Sequence, residues 1–264
     1  MIGVISRSSS AAIAAVVLLA ACQAERVNAP ITDTTISPQS TSPPGAPIYA
    51  DTSTIPVTSE PTRVQATPTI AGVPDILLEE DFSTAETCFE SFDNESARAD
   101  VADDGYVIEV HAADEIANAN CETLVASDFI LELDVRVEDF EPGGAYYFGV
   151  LFRVSGDERY AFVIGSEGGY CVYYAKDEIF VPLTSSTDFN AQCWTNLPSE
   201  AMQEGPQRLR VEALADRIDV FLNGELLAVV RDGQLRSGWL GFVAATAGEG
   251  GLEVVFDNLI ISRK

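Results

Sequence analysis

Three acidic residues, Glu132, Asp134 and Glu138, lie within seven positions of one another. A pair of carboxyl groups can hydrolyse a glycosidic bond, and the mechanism with a covalent intermediate needs them about 5 to 5.5 Å apart. The two glutamates are six residues apart, which is about 20 Å in an extended strand. Arg136 falls between them on the same strand face. This spacing disfavours hydrolysis and predicts a solvated strand face of alternating charge.

The segment that carries these carboxylates alternates apolar and polar side chains, which indicates a β-strand over residues 128–138. Ten further runs show a similar pattern: 76–82, 105–111, 145–154, 160–165, 169–175, 207–214, 217–223, 225–231, 239–246 and 252–262. Asn223-Gly224, between two of these runs, is typical of a type I′ hairpin turn. Many short strands without a long amphipathic helix predict an all-β fold, a two-sheet antiparallel sandwich over residues 75–264.

The same alternation predicts a binding surface. If the run 145–154 buries its phenylalanines, Tyr147 and Arg153 point outward, and Tyr173 does so by the same parity. We expect these side chains beside Glu132 and Asp134 on one sheet face. Aromatic rings stack on the C–H faces of sugars while charged groups bind hydroxyls, so this face is a candidate glycan site. The alternative is a solvated or loop-covered sheet in which the tyrosines only favour strand formation.

One of the two tryptophans, Trp194, adds to this hypothesis. Trp194 lies in the segment 188–205, where no strand pattern is visible, and it follows Cys193. Long ordered loops often carry function, which makes Trp194 a candidate ligand contact. Alternatively, Trp194 plugs the end of the sandwich. Trp239 begins a strand beside glycines and is expected in the core.

Four cysteines of the predicted sandwich form an even set: Cys88, Cys121, Cys171 and Cys193. An even number in an exported domain favours two disulfides. We favour Cys88 with Cys121 and Cys171 with Cys193, because these pairs close the shortest loops. A zinc site is the alternative, but neither pair has the spacing of two to four residues that zinc ligands show.

The fifth cysteine, Cys22, follows an apolar run over residues 11–21. Eleven residues are too few for a membrane-spanning helix, which needs about 20, and they suit a signal peptide. The run ends in Leu19-Ala20-Ala21-Cys22, which resembles the lipobox of bacterial lipoproteins. The resemblance implies a signal peptide over 1–21, lipidation of Cys22, and a protein anchored at the bacterial cell surface or periplasmic face. An ordinary secreted protein with an incidental cysteine is the alternative.

Residues 22–74 differ in composition from the rest of the chain. Nine prolines and fifteen serines or threonines occupy positions 23–74. Such a segment cannot bury an apolar core and is expected to be an extended tether between the lipid and the sandwich.

Charge restricts the partners of the protein. The chain has 41 acidic and 15 basic side chains, a net charge of −26, and residues 75–264 account for −25 of it. Nucleic-acid binding needs clustered Lys and Arg, so it is excluded, and polyanionic polymers are disfavoured by long-range repulsion. We expect a neutral carbohydrate or surface polymer as partner, with membrane contact only through the lipid anchor.

Several segments together resemble a known fold family, the concanavalin A-like lectin and glucanase jelly roll, in its laminin G-like and 3-keto-disaccharide hydrolase varieties. The resemblance rests on Phe148–Arg153, Tyr160–Phe162, Leu209–Glu212, Val220–Gly224, Ser237–Gly241 and Phe256–Asn258. It implies sugar binding, glycan hydrolysis or protein adhesion. In laminarinase-type members the second catalytic glutamate follows the first by four or five residues, whereas Glu138 follows Glu132 by six. Many such jelly rolls hold a structural calcium ion, for which Asp81 and Asp257 are the matching oxygen ligands here.

Three functions follow from these observations. The first hypothesis is a non-catalytic jelly roll, tethered to the surface, that binds carbohydrate without a cofactor. The second is a glycan hydrolase of the 3-keto-disaccharide hydrolase or glucanase type. The third is a structural module that contacts other proteins.

Overall fold

The computed structural model describes residues 75–102, 105–177, 179–184 and 193–264. The predicted signal peptide, the lipidation site at Cys22 and the tether over 22–74 lie outside the described residues. The described part of the chain contains β-strands and no helix. It therefore has no helix long and apolar enough to cross a membrane.

In the described residues, sixteen strands form two antiparallel sheets. The larger sheet has nine strands in the order β14-β13-β12-β6-β16-β4-β3-β2, with β1 also paired to β16. Its strands are β1 (Ile76–Glu80), β2 (Phe92–Asp93), β3 (Ala97–Ala102), β4 (Gly105–Val110), β6 (Phe129–Asp139), β12 (Gln207–Leu214), β13 (Arg217–Leu222), β14 (Glu225–Arg231) and β16 (Leu252–Arg263).

The smaller sheet has seven strands in the order β10-β9-β8-β7-β15-β5, with β11 also paired to β9. Its strands are β5 (Ile116–Ala126), β7 (Ala145–Ser155), β8 (Glu158–Gly165), β9 (Gly169–Lys176), β10 (Ile179–Pro182), β11 (Thr195–Asn196) and β15 (Gly238–Ala247). The two-sheet antiparallel sandwich predicted from the alternation is therefore confirmed, as is the jelly-roll architecture that the family resemblance implies.

The core between the sheets is rich in aromatic rings. Phe242 of β15 stacks on Phe89 at a centroid distance of 4.2 Å and on Phe256 of β16 at 4.5 Å. These contacts join the two sheets, because β15 belongs to the smaller sheet and β16 to the larger one. Truncating a buried phenylalanine of this kind costs about 3 to 5 kcal/mol.

Both predicted disulfides are confirmed. Cys88 is bonded to Cys121 of β5, and Cys171 of β9 is bonded to Cys193. The first bond ties the segment that holds Phe89 to the edge of the smaller sheet, and Cys121 is fully buried. The second bond lies on the opposite side of that sheet, outside the main core. Two disulfides are typical of proteins that fold outside the cytoplasm.

The predicted hairpin at Asn223-Gly224 is also confirmed. Both residues have positive φ, 51° and 85°, as a type I′ turn requires, and they connect β13 to β14. The Asn223 side-chain oxygen accepts a 2.8 Å hydrogen bond from the Arg208 backbone N–H, which fixes the turn to the adjacent strand.

Candidate functional site

The binding face predicted from parity is divided between the two sides of the sandwich. Glu132 and Asp134 belong to β6 in the larger sheet, whereas Tyr147 of β7 and Tyr173 of β9 belong to the smaller one. Each of these side chains points away from the core, but the two sets face opposite directions. The expected combination of aromatic rings and these two carboxylates is therefore wrong. Alternation gives the side to which a residue points within its strand, not the sheet that the strand joins.

The outer face of the larger sheet is a lattice of ion pairs, which we call the charged face. Arg210 of β12 lies 3.0 Å from the Glu132 carboxylate, and Arg208 lies 3.0 Å from that of Asp134. Asn258 also donates a 3.0 Å hydrogen bond to Asp134. These side chains are about one-third exposed, and surface pairs of this kind contribute only about 0 to 1 kcal/mol each. Glu132 and Asp134 thus lie on the polar strand face that their alternation with basic residues predicts.

Arg153 does not point outward, contrary to the sequence prediction. A bulge in β7 interrupts the pairing with β8 between Phe152 and Ser155, and Arg153 has a φ of 50°. The bulge adds one residue to the strand and shifts the alternation, so Val154 takes the outward position instead. The Arg153 side chain is fully buried, and its guanidinium donates to the backbone oxygens of Ser127, Ala215 and Leu235. It is a structural residue.

The outer face of the smaller sheet carries a second apolar cluster, which we call the aromatic face. It contains Leu151, Val154, Ala161, Val163, Cys171, Tyr173, Ala175 and Val243, with Ile116, Tyr147, Cys193, Trp194 and Trp239 packed against them. The outward positions predicted for Tyr147 and Tyr173 are therefore correct. Gly149 lies in the same sheet. A Cβ atom added to Gly149 would come within 2.0 Å of the Phe162 backbone oxygen, so no larger residue fits at this position.

Trp194 packs on the aromatic face. Its ring centroid lies 6.0 Å from that of Tyr147, and its ring lies against Gly165 and Gly169. A Cβ atom added to Gly165 would come within 3.0 Å of the ring, so the indole needs glycine beneath it. The neighbouring Cys193 is bonded to Cys171, which fixes the backbone beside Trp194 to β9.

The two tyrosines of the aromatic face are neutral at physiological pH. Burial raises the pKa of Tyr173 to about 12, against the opposing charge of Arg159. Burial also raises the pKa of Tyr147, and Arg159 again lowers it. Phe180 of β10 contacts Tyr173 edge to face at a centroid distance of 5.3 Å. The face therefore holds aromatic rings and hydroxyl groups beside one guanidinium, and the Tyr173 side chain within it is almost completely buried.

Two residues of this face were missed by the sequence analysis. Arg159 is paired across strands with Ala175, and it alternates with Ala161, so it lies on the aromatic face. Trp239, expected in the core, is paired with Val154 on the same face. Arg159 directly precedes the run predicted from Tyr160, so extending that run by one residue would have included it.

Arg159 and Trp239 share an unusual property. The Nε of Arg159 and the Nε1 of Trp239 are buried, and within the described part of the chain neither atom has a hydrogen-bond partner. A buried donor without an acceptor costs about 1 to 3 kcal/mol, and such groups are few in native proteins.

The predicted calcium ligands lie at the same end of the β1–β16 pairing, beyond the pair of Glu80 with Leu259. The Asp81 carboxylate accepts hydrogen bonds from the backbone and hydroxyl of Ser83, and Asp257 accepts one from the Asn258 backbone at 2.7 Å. Among the described residues, no three His, Cys, Asp or Glu side chains come together as a metal site. A calcium ion at this position remains a prediction of the sequence.

No family model and no curated protein matches the sequence. Solved structures of similar fold include carbohydrate-binding module CBM66 from Bacillus subtilis, which is 16% identical and has a TM-score of 0.43. The match covers 66% of this chain and 91% of that one. A Bacillus subtilis protein of unknown function with a galectin-like fold is 11% identical, with a TM-score of 0.49, and the match covers 72% and 96% of the two chains.

The catalytic domain of an endo-1,3-β-glucanase from Thermotoga petrophila RKU-1 is also similar. It is 12% identical with a TM-score of 0.48, and the match covers 73% of this chain and 100% of that one. At these identities the similarity concerns the fold alone.

Proposed function

We propose that this protein is a non-catalytic carbohydrate-binding lipoprotein, and that its ligand is a neutral carbohydrate held on the aromatic face. The observation that carries the proposal is the gathering of Tyr147, Tyr173, Trp194 and Trp239 on one sheet face together with two unsatisfied N–H donors. Aromatic rings bind the C–H faces of sugars, and polar groups between the rings orient the hydroxyls.

The charged face supports the non-catalytic part of the proposal. Glu132 and Asp134 are each paired with an arginine of β12, and they lie on the other side of the sandwich from the aromatic rings. A glycosidase needs its two carboxyl groups beside the bound sugar. Release of reducing ends from a bound glycan would contradict this part and favour the hydrolase alternative.

A glycan array tests the binding. The purified protein is expected to bind neutral glycans, and Tyr147→Ala and Tyr173→Ala are each expected to weaken binding about tenfold through loss of ring contacts. Phe221→Ala is the matched control, because this aromatic ring lies on the larger sheet beneath Arg210. Absence of glycan binding would refute the proposal and favour the protein-contact alternative. Equal effects of the three substitutions would refute the assignment to the aromatic face.

Anchoring rests on the Leu19-Ala20-Ala21-Cys22 sequence. Lipidation of Cys22 would hold the protein at the bacterial cell surface or periplasmic face, with 22–74 as a tether. Cys22→Ser is expected to move the protein from the membrane fraction to the soluble one or to leave the precursor unprocessed. Unchanged membrane association would contradict the anchor while leaving the glycan site unaffected.

A further inference from the structure

We infer that a cationic, extended segment of a partner protein adds as a strand to the free edge of β14, beneath β10 of the smaller sheet. This surface lies apart from the aromatic face, and the inference goes beyond the proposed carbohydrate function. It rests on the uneven way in which the two sheets end, on exposed apolar side chains that point to the core side, and on the surrounding charge.

The smaller sheet extends past the larger one on this side of the sandwich. The Tyr170 hydroxyl of β9 donates a 2.8 Å hydrogen bond to the Leu227 backbone oxygen of β14, so β9 lies over β14. Strand β14 is the last strand of the larger sheet, whereas β9 is followed by β10 in the smaller one. Among the described residues, therefore, no strand of the larger sheet lies opposite β10.

Two apolar side chains of β10 point to the core side without being covered. Val181 is paired across strands with Tyr174, which is buried in the main core, and Ile179 lies two residues earlier on the same strand face. Val181 is 42% exposed and Ile179 is 66% exposed. Because stacked sheets pack about 10 Å apart, a strand added to β14 would lie opposite these two side chains and bury them.

The edge of β14 offers backbone groups to such a strand. Within the described part of the chain, β14 is paired with β13 alone. The pairing skips Leu227, which lies in a bulge, so Ala228–Arg231 forms the regular part of the edge. An edge of this kind presents N–H and C=O groups that bind an extended segment through main-chain hydrogen bonds. The bulge limits the added strand to a short one.

The overhang of β10 excludes a second copy of this chain as the occupant. A copy that paired its own β14 with this edge would place that strand beneath β10. Its own β9 lies over its β14, so it would occupy the space that β10 already fills. An extended segment that is not part of a sandwich has no such conflict.

Charge at this edge favours a cationic segment. Asp177 lies between β9 and β10, and Asp157 lies in the neighbouring turn before β8. A hydrogen bond with Asp157 and repulsion by its charge raise the pKa of Asp177. A lysine or arginine at the end of the added strand would relieve this repulsion. Residues 75–264 also carry a net charge of −25, which attracts a cationic partner at long range.

A synthetic peptide with blocked ends, Lys-Val-Thr-Val-Thr-Val-Lys, is the probe for the purified full-length protein. Its valines share one strand face, and its lysines supply the charge. The peptide is expected to bind and to slow hydrogen exchange at backbone amides of Ala228–Arg231, a protection that a contact with side chains alone would not give. Absence of binding, or protection confined to β10, would overturn the inference.

Two further peptides test the chemistry of the partner. Replacing both lysines with glutamate is expected to weaken binding more than tenfold at low salt, because the protein repels the acidic peptide. Replacing the three valines with threonine is expected to weaken binding about tenfold through loss of apolar burial. Binding of either peptide as tight as that of the first would overturn the inference.

A pair of protein variants assigns the binding to the overhang. Val181→Lys is expected to weaken binding of the first peptide about tenfold, since it replaces an apolar contact with a like charge. Val125→Lys is the matched control, because Val125 is an exposed valine of β5 at the opposite edge of the smaller sheet. Equal losses in the two variants would overturn the inference. So would a dimer of the protein alone that the peptide dissociates in analytical ultracentrifugation, because a second copy would then occupy the edge.

Discussion

The guanidinium of Arg153 donates a 2.7 Å hydrogen bond to the backbone oxygen of Ala215, 62 residues further along the chain. The same group binds the backbone oxygens of Ser127 and Leu235. One side chain therefore joins the β5–β6, β12–β13 and β14–β15 connections at one end of the sandwich. The β7 bulge makes this possible, because it turns the side chain of Arg153 away from the aromatic face.

Arg153→Met is expected to lower the free energy of unfolding by about 3 kcal/mol, because buried carbonyl oxygens lose a charged donor. Chemical denaturation measures this change. Arg208→Met, on the charged face, is the control and should cost less than about 1 kcal/mol. Equal losses in the two variants would show that Arg153 contributes no more than a surface arginine.

Arg153 also shows where sequence reasoning fails. Alternation through β7 assigns Tyr147 to the outside correctly, but a bulge of one residue reverses the assignment after Phe152. No residue type in the sequence marks that bulge, since Arg153 adopts positive φ without being Gly, Asn or Asp. The reversal depends on tertiary contacts with three loops that are distant in sequence.

The strands found from sequence were those with β-branched and aromatic residues. Strand β5 (Ile116–Ala126) was missed because it alternates alanine with asparagine, both poor strand formers. It forms because Ala117 and Ala119 are buried and the strand pairs with β15. Tertiary pairing thus overrides local propensity at this edge, and local patterns alone could not have predicted it.

The candidate site was predicted only in part, because tertiary strand pairing again decided which residues come together. Tyr147, Tyr173 and Trp194 were identified as candidates, and the structure brings them together on one face. Their expected neighbours Glu132 and Asp134 lie on the other sheet, because strand order is decided by pairings such as β6 with β12 and β16. Period-two patterns contain no information about that order.

The Cys171–Cys193 disulfide is expected to support binding through Trp194. Replacing both cysteines with alanine removes a cross-link over 22 residues and should cost about 3 kcal/mol of stability. It should also weaken glycan binding, because Trp194 loses the covalent link to β9 on its Cys193 side and keeps only the β11–β9 pairing of Thr195 and Asn196. Thermal unfolding and calorimetric titration measure the two effects.

The Cys88–Cys121 disulfide provides the matched control for that experiment. Its removal opens a loop of similar length, 33 residues, but it lies in the main core beside Phe89 and not on the aromatic face. The Cys88→Ala, Cys121→Ala variant should lose comparable stability and retain glycan affinity below its melting temperature. Equal loss of affinity in both double variants would contradict a specific role for Trp194.

Glu253 is expected to make stability depend on pH. On β16 it is paired across strands with Glu109 of β4 on one side and with Asp139 of β6 on the other. Burial and then the charges of Glu109, Glu138 and Asp139 raise the pKa of Glu253 above its ordinary value of 4.5, although Arg136 opposes the shift. Like charges directly opposite each other destabilise a sheet.

The sign of the effect follows from the raised pKa. The folded state binds the proton of Glu253 more tightly than the unfolded chain does, so this residue favours folding below pH 4.5 and loses that contribution as the pH rises through the folded pKa. Glu253→Gln should therefore stabilise the protein by about 0.5 kcal/mol at pH 7 and have little effect in acid. Glu225→Gln, an equal charge change at an exposed hairpin end, is the control for general self-repulsion. Denaturation series at several pH values measure the free energy of unfolding of both variants. An equal gain in stability in the two variants, or a Glu253→Gln gain that persists at low pH, would contradict the prediction.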